Sequence, residues 1–240
     1  ISAKKSLKNL KNITLLVVLL LIPAIYFMKK PDKTNSMENK FNYLALGDSY
    51  TIGESVPDTE RFPSQLVSSL TKSNIYFNSP EIIATTGWTT DELADAIRKK
   101  QSSLLPKYDL VSLLIGVNNQ YRGRDAEEYR TQFKDLLRTA IVFAGGEKSR
   151  VFIVSIPDWG VTPFAEGRDR KKIGEEIDLY NKINKEETLK EGIAYIDITP
   201  ESRTAANDKS LIASDGLHPS EKMYKEWVDL ILPRVKIMFQ

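Results

Sequence analysis

The sequence predicts a three-layer α/β/α sandwich, with a mainly parallel five-stranded sheet between two layers of helices. Three observations carry that prediction. Five short apolar runs, at 43–46, 82–84, 110–115, 151–156 and 193–198, are rich in Leu and β-branched residues. They show little alternation, as strands buried on both faces do. Longer amphipathic stretches separate the runs, and a strand–helix–strand rhythm implies right-handed crossovers between parallel neighbours.

Taken in order, the run at 43–46 opens the sheet and is followed at once by the polar segment Gly47-Asp48-Ser49-Tyr50. The stretch near 61–72 is the first candidate helix and leads to the run at 82–84. A second helix near 89–101 leads to 110–115. The third, near 125–144, carries the stripe Phe133, Leu136, Leu137 and Ile141. Asp125 before Glu127 and Glu128 is placed as its N-cap, with acidic residues in the first turn. After 151–156, a helix near 169–191 shows the stripe Ile173, Ile177, Tyr180 and Ile183. The strand at 193–198 and a last helix near 220–238 complete the body. It contains no internal repeat and no low-complexity stretch.

Composition excludes several chemistries. The 240 residues contain no cysteine and one histidine, His218. Disulfide frameworks, thiolate nucleophiles and Cys-based zinc or iron–sulfur sites are therefore ruled out, as are sites needing two imidazoles. No cofactor or resident metal is expected. The net charge of +2 is uneven: the first 40 residues carry +6 and the remaining 200 carry −4. A mildly acidic body argues against nucleic acid as its partner.

Residues 13–28 (ITLLVVLLLIPAIYFM) form an uncharged apolar run flanked by lysines. It reads as an uncleaved signal anchor, or as a signal peptide lacking an evident small-residue cleavage site. The early lysines favour an N-in orientation, which would leave the body outside the cytoplasm. Residues 29–40 are polar and aperiodic, as a linker would be. The expected organisation is therefore a 1–40 targeting segment plus linker and a 41–240 domain.

In parallel sheets ligands bind beyond the carboxyl ends of the strands. Four such segments are rich in Gly, Ser, Asn and Asp: 47–54, 85–88, 116–119 and 215–219. A serine nucleophile needs a base and a group to orient that base. Ser49 follows the first strand, and Asp215 and His218 stand three apart before the last helix. The N–H groups of Ser49 and Gly87 and the Asn118 amide are candidate donors to an oxyanion. Each residue has a structural alternative when taken singly: Ser49 as a cap, Asp215-Gly216 as a turn, Gly87 as a bend, Asn118 as a loop bond, His218 as a packed ring.

Together they form a pattern. Gly47–Tyr50 (GDSY), the isolated Gly87, Gly116–Asn119 (GVNN) and Asp215–His218 (DGLH) occur in that order. The chain from 41 to 240 resembles the SGNH hydrolases, also called GDSL esterases and lipases. The resemblance implies a flavodoxin-like sheet. It implies Ser49 as nucleophile, His218 as base and Asp215 as its orienter. Ser49 N–H, Gly87 N–H and the Asn118 amide are then the oxyanion hole. Asn119 departs from the pattern, which usually has Asp there, and this bears on loop geometry rather than on the donor itself.

Substrate contacts are expected from Asp48, Asn119, Tyr121, Arg122, Trp159 and Phe164, at or beside the strand ends. Aromatic residues there suit an acyl chain or a sugar face, and arginine suits an anionic head group. Arg168–Lys172 (RDRKK) reads as a solvated helix start. The expected partner is a small-molecule ester, an acylated glycan or a lipid, with membrane contact through 13–28 if that run is retained. Acyl transfer by the same triad, or a non-catalytic phosphate-cradling module, are the competing readings.

Overall fold

The computed structural model describes residues 40–240. The expected anchor at 13–28 lies outside the described residues. Among the described residues no helix is long and apolar enough to cross a membrane.

The chain runs β1 (Tyr43–Gly47), α1 (Ser49–Ile52), α2 (Phe62–Thr71), β2 (Glu81–Ala84), α3 (Thr90–Lys100), β3 (Leu110–Leu114) and α4 (Val117–Tyr121). It continues with α5 (Ala126–Phe143), β4 (Val151–Val154), α6 (Arg170–Lys190), β5 (Ala194–Ile196), α7 (Thr199–Arg203) and α8 (Glu221–Ile237). The sheet is wholly parallel, in the order β2-β1-β3-β4-β5. β1, β3 and β4 bury every residue, because helices cover both faces of the sheet. Right-handed crossovers put α2 on one face and α3, α5 and α6 on the other. α8 closes the first face by packing on α2, with Trp227 fully buried between sheet and helices.

Two features of the sheet position the site. The chain leaves β1 outward to β2 and returns past it to β3, so the order reverses at β1, where such sheets open a crevice. The strand ends are also flush: Gly47 pairs in register with Ala84 on one side and Leu114 on the other. The residues that follow β1, β2 and β3 therefore emerge at the same edge.

The helix stripes are buried largely as their periodicity predicts. On α6, Ile173, Ile177, Tyr180 and Ile183 face the core. On α5, Phe133, Leu136 and Leu137 do so, joined by Tyr129, Ala140 and Phe143, whereas Ile141 is only half-buried. Three apolar runs overshoot their strands. Ile115, Ile156 and Ile198 are buried but lie past the ladder. Their burial comes from covering loops, and Ile156 N–H donates to the Asn181 side chain at 2.7 Å instead of to a strand. The sequence reading also lacks α1, α4 and α7, which are four to five residues long and too short to show a periodic stripe.

Candidate active site

Ser49 is the first residue of α1, a single turn capped by Asp48, whose Oδ1 accepts from Tyr50 N–H at 3.0 Å. A first-turn residue has no carbonyl four residues back, so the Ser49 N–H is left without a partner inside the helix. The short helix thus presents both the hydroxyl and a free amide at the edge of the sheet. Val117 and Asn118 open α4 in the same way after β3. The 85–88 loop follows β2, and in it Gly87 adopts φ +87°, a left-handed conformation that suits glycine.

Asp215 and His218 arrive on the segment between α7 and α8. Ile212 and Pro219 form an isolated antiparallel bridge, and Ala213 N–H donates to the His218 carbonyl at 2.8 Å. This hairpin-like loop carries Asp215 and His218 just before Ser220, the N-cap of α8. It is pinned to the loop after β4 by Phe164 N–H donating to the Gly216 carbonyl at 3.0 Å.

Asp215 and His218 are joined as the three-residue spacing suggests. His218 Nδ1 lies 2.6 Å from Asp215 Oδ2, while Asp215 Oδ1 accepts from the backbone amides of Leu217 at 2.9 Å and His218 at 3.0 Å. Burial pushes the Asp215 carboxyl up, but the bonds from the His218 ring, the two amides and Ser55 outweigh it and hold it down at about 2. An ionised Asp215 keeps the proton on Nδ1, which leaves Nε2 as the basic atom of the neutral ring. The ring packs against Tyr50 at 5.3 Å between centroids.

Ser49, Gly87, Asn118 and His218 line one cleft of about 190 Å³, together with Tyr50, Thr86, Val117, Tyr121, Trp159, Phe164 and Leu217. Asn118 Nδ2 donates one hydrogen to the Trp88 carbonyl at 2.9 Å, which fixes the amide and leaves its second hydrogen free. A serine hydroxyl, an imidazole and the Asn118 amide therefore share a mostly apolar, partly closed space. Such a space can support attack on a carbonyl with stabilisation of the resulting oxyanion.

The rim is aromatic. Tyr121, Trp159 and Phe164 meet edge-on or tilted, with centroids 5.4, 6.2 and 5.9 Å apart. Trp159 is buried and anchored by its indole N–H, which donates to Gln120 at 2.8 Å. Arg168 is not a freely solvated helix start: its guanidinium lies 5.2, 5.4 and 5.3 Å from the three ring centroids, stacked by cation–π attraction.

Three residues expected to touch substrate are placed elsewhere. Asp48 is fully buried next to Ser49, where its carboxyl caps α1, and burial pushes it up to about 7. Asn119 is also buried and points the other way from Asn118: it accepts from Thr90 N–H at 3.1 Å and donates to Thr90 Oγ1 at 2.7 Å, tying α4 to the start of α3. Arg122 reaches back to the Gly87 carbonyl and pairs with Glu92, so it braces the 85–88 loop. Consecutive helical residues diverge by about 100°, and motif adjacency does not say which one faces the cleft. Tyr50, Val117 and Leu217 also line the cleft; they lie within the quoted motifs, but the sequence reading gave them no role of their own.

No curated protein matches the chain in sequence. Solved structures share its fold: TesA at 14% identity with TM-score 0.62, covering 82% of this chain and 99% of that one. A lipase/acylhydrolase from Enterococcus faecalis matches at 19% identity with TM-score 0.62, covering 82% and 95%. Axe2, an acetylxylan esterase from Geobacillus stearothermophilus, matches at 17% identity with TM-score 0.59, covering 81% and 94%. The model of the GDSL-like lipase/acylhydrolase family matches residues 45–226, from the middle of β1 into α8, and the chain belongs to that family.

Proposed function

We propose that the protein is a serine ester hydrolase that works through an acyl intermediate on Ser49. The observation that carries this reading is the Asp215–His218 hydrogen bond at the wall of a cleft shared with Ser49 and Asn118. Ser49 Oγ attacks the ester carbonyl while His218 Nε2 takes the hydroxyl proton. Ser49 N–H, Gly87 N–H and the Asn118 amide donate to the oxyanion. His218 then returns the proton to the leaving alcohol, and water releases the acyl group by the same route.

The cleft is smaller than the roughly 300–1,000 Å³ of sites that take drug-sized ligands, at about 190 Å³. Its size favours a short acyl group inside, with the alcohol part against the aromatic rim. A planar or ring-shaped alcohol, such as a sugar, suits exposed Tyr121 and Phe164. The test is turnover of p-nitrophenyl esters from acetyl to long acyl chains by the full-length protein and by Ser49→Ala. Hydrolysis strongest for short chains, lost in Ser49→Ala together with fluorophosphonate labelling, is expected. A fully active Ser49→Ala protein would sink the mechanism.

A further inference from the structure

The turn that follows the nucleophile helix has an unusual backbone. Gly53 takes φ +75°, and a Cβ there would meet Arg61 Cβ at 2.4 Å. Two residues later Ser55 takes φ +66°, a left-handed conformation that an L residue with a Cβ adopts only at a cost. Only Ser55 and Asn74 have positive φ among the non-glycine described residues. Strain of this kind persists where surrounding contacts impose it, and it concentrates at functional sites.

The contacts at this turn reach the other catalytic loops. Ser55 Oγ donates to Asp215 Oδ2 at 2.8 Å, the same oxygen that receives His218 Nδ1. Its neighbour Glu54 accepts from the hydroxyl of Thr86, next to Gly87. One turn, rigidly attached to Ser49 by Gly53 N–H and Glu54 N–H donating to the Ser49 carbonyl, therefore touches both the base loop and the oxyanion loop. Ser55 and Asp215 are 160 residues apart in sequence.

We propose that Ser55 is a positioning residue, whose strained backbone aims its hydroxyl at Asp215 and so sets the His218 ring relative to Ser49. The inference rests on the reading of Ser49, Asp215 and His218 as a catalytic set. Asp215 Oδ2 would otherwise hold the imidazole with one wall of the carboxylate open to water, since Ser55 is itself at the surface. The second donor restricts how the carboxylate, and with it the ring, can turn.

Two substitutions separate positioning from plain stability. Ser55→Ala removes the bond and keeps the strain; Ser55→Gly removes the bond and relieves the strain. Ser55→Gly should therefore melt at a higher temperature than Ser55→Ala. Both should nevertheless show kcat about 3- to 10-fold below wild type with KM unchanged, the range expected for one net hydrogen bond. Because His218 is the only histidine, its Nδ1–H gives a single proton resonance, and this should exchange faster with water in both variants of the full-length protein. A kcat that follows melting temperature, or an unchanged Nδ1–H resonance in Ser55→Gly, would overturn the proposal. A wild-type protein that hydrolyses no ester, with the resonance still weakened in both variants, would overturn the catalytic reading and leave the positioning role standing.

Discussion

On the proposed mechanism Asn118 divides its amide between two tasks, and that division makes its contribution measurable. The hydrogen given to the Trp88 carbonyl holds the group still, so the other can meet an oxyanion without the amide having to reorient. Preorganisation of this kind is why one such donor is worth about 10²–10³ in turnover. Asn118→Ala is expected to lower kcat by that factor with little change in KM, read from steady-state hydrolysis of a short-chain p-nitrophenyl ester. A loss confined to KM would place Asn118 in substrate binding instead. At this scale the sequence is readable where chemistry restricts residue type: a hydroxyl, an imidazole, a carboxylate three residues before it, a glycine and an amide. It is not readable where a residue acts across the fold. Ser55 and Arg122 meet their partners through bonds that span 160 and 35 positions, and nothing in their neighbourhoods names those partners.

Among the elements, those that bury a broad apolar surface announce themselves, and those that only turn the chain do not. The five strands and the five long helices are visible because period and composition must match the faces they cover. α1 and α4 instead owe their form to a cap, a register and a glycine, although they carry Ser49 and Asn118. The N-cap of α5 shows that a purely local signal can still suffice. Asp125 Oδ1 accepts from the amides of Glu127 and Glu128, both at 2.9 Å, as the acidic cluster in the sequence suggests. This carboxylate lies at the surface and does not line the cleft. Asp125→Ala should therefore cost about 1 kcal/mol of stability, seen as a lower denaturant midpoint, with kcat unchanged. A fall in kcat would mean that α5 transmits its position to α4.

For the molecule as a whole, the buried carboxyl of Asp48 ties stability to pH in an uncommon direction. Burial pushes Asp48 up from 3.8 to about 7, against the pull of the Tyr50 amide and its own. Its Oδ2 has no hydrogen-bond partner among the described residues, so no cation or donor rewards ionisation there. Between about 4 and 7 the folded protein keeps a proton that the unfolded chain has released, and stability falls as pH rises through that window. The full displacement is worth about 4 kcal/mol at most, at roughly 1.4 kcal/mol per unit. Asp215 acts oppositely. Held at about 2 in the folded state, it contributes stability above its unfolded value that is lost as pH drops from about 4 towards 2. These two groups together put their best joint contribution near pH 4. Above about pH 7 the folded protein carries the full cost of an ionised carboxyl at Asp48. Asp48→Asn keeps an acceptor for the Tyr50 amide and removes the titration. Thermal melts at pH 4, 6 and 8 should show the variant gaining on the wild type as pH rises, with the two close together at pH 4. A constant gap across the three would mean that Asp48 does not hold its proton in the folded protein.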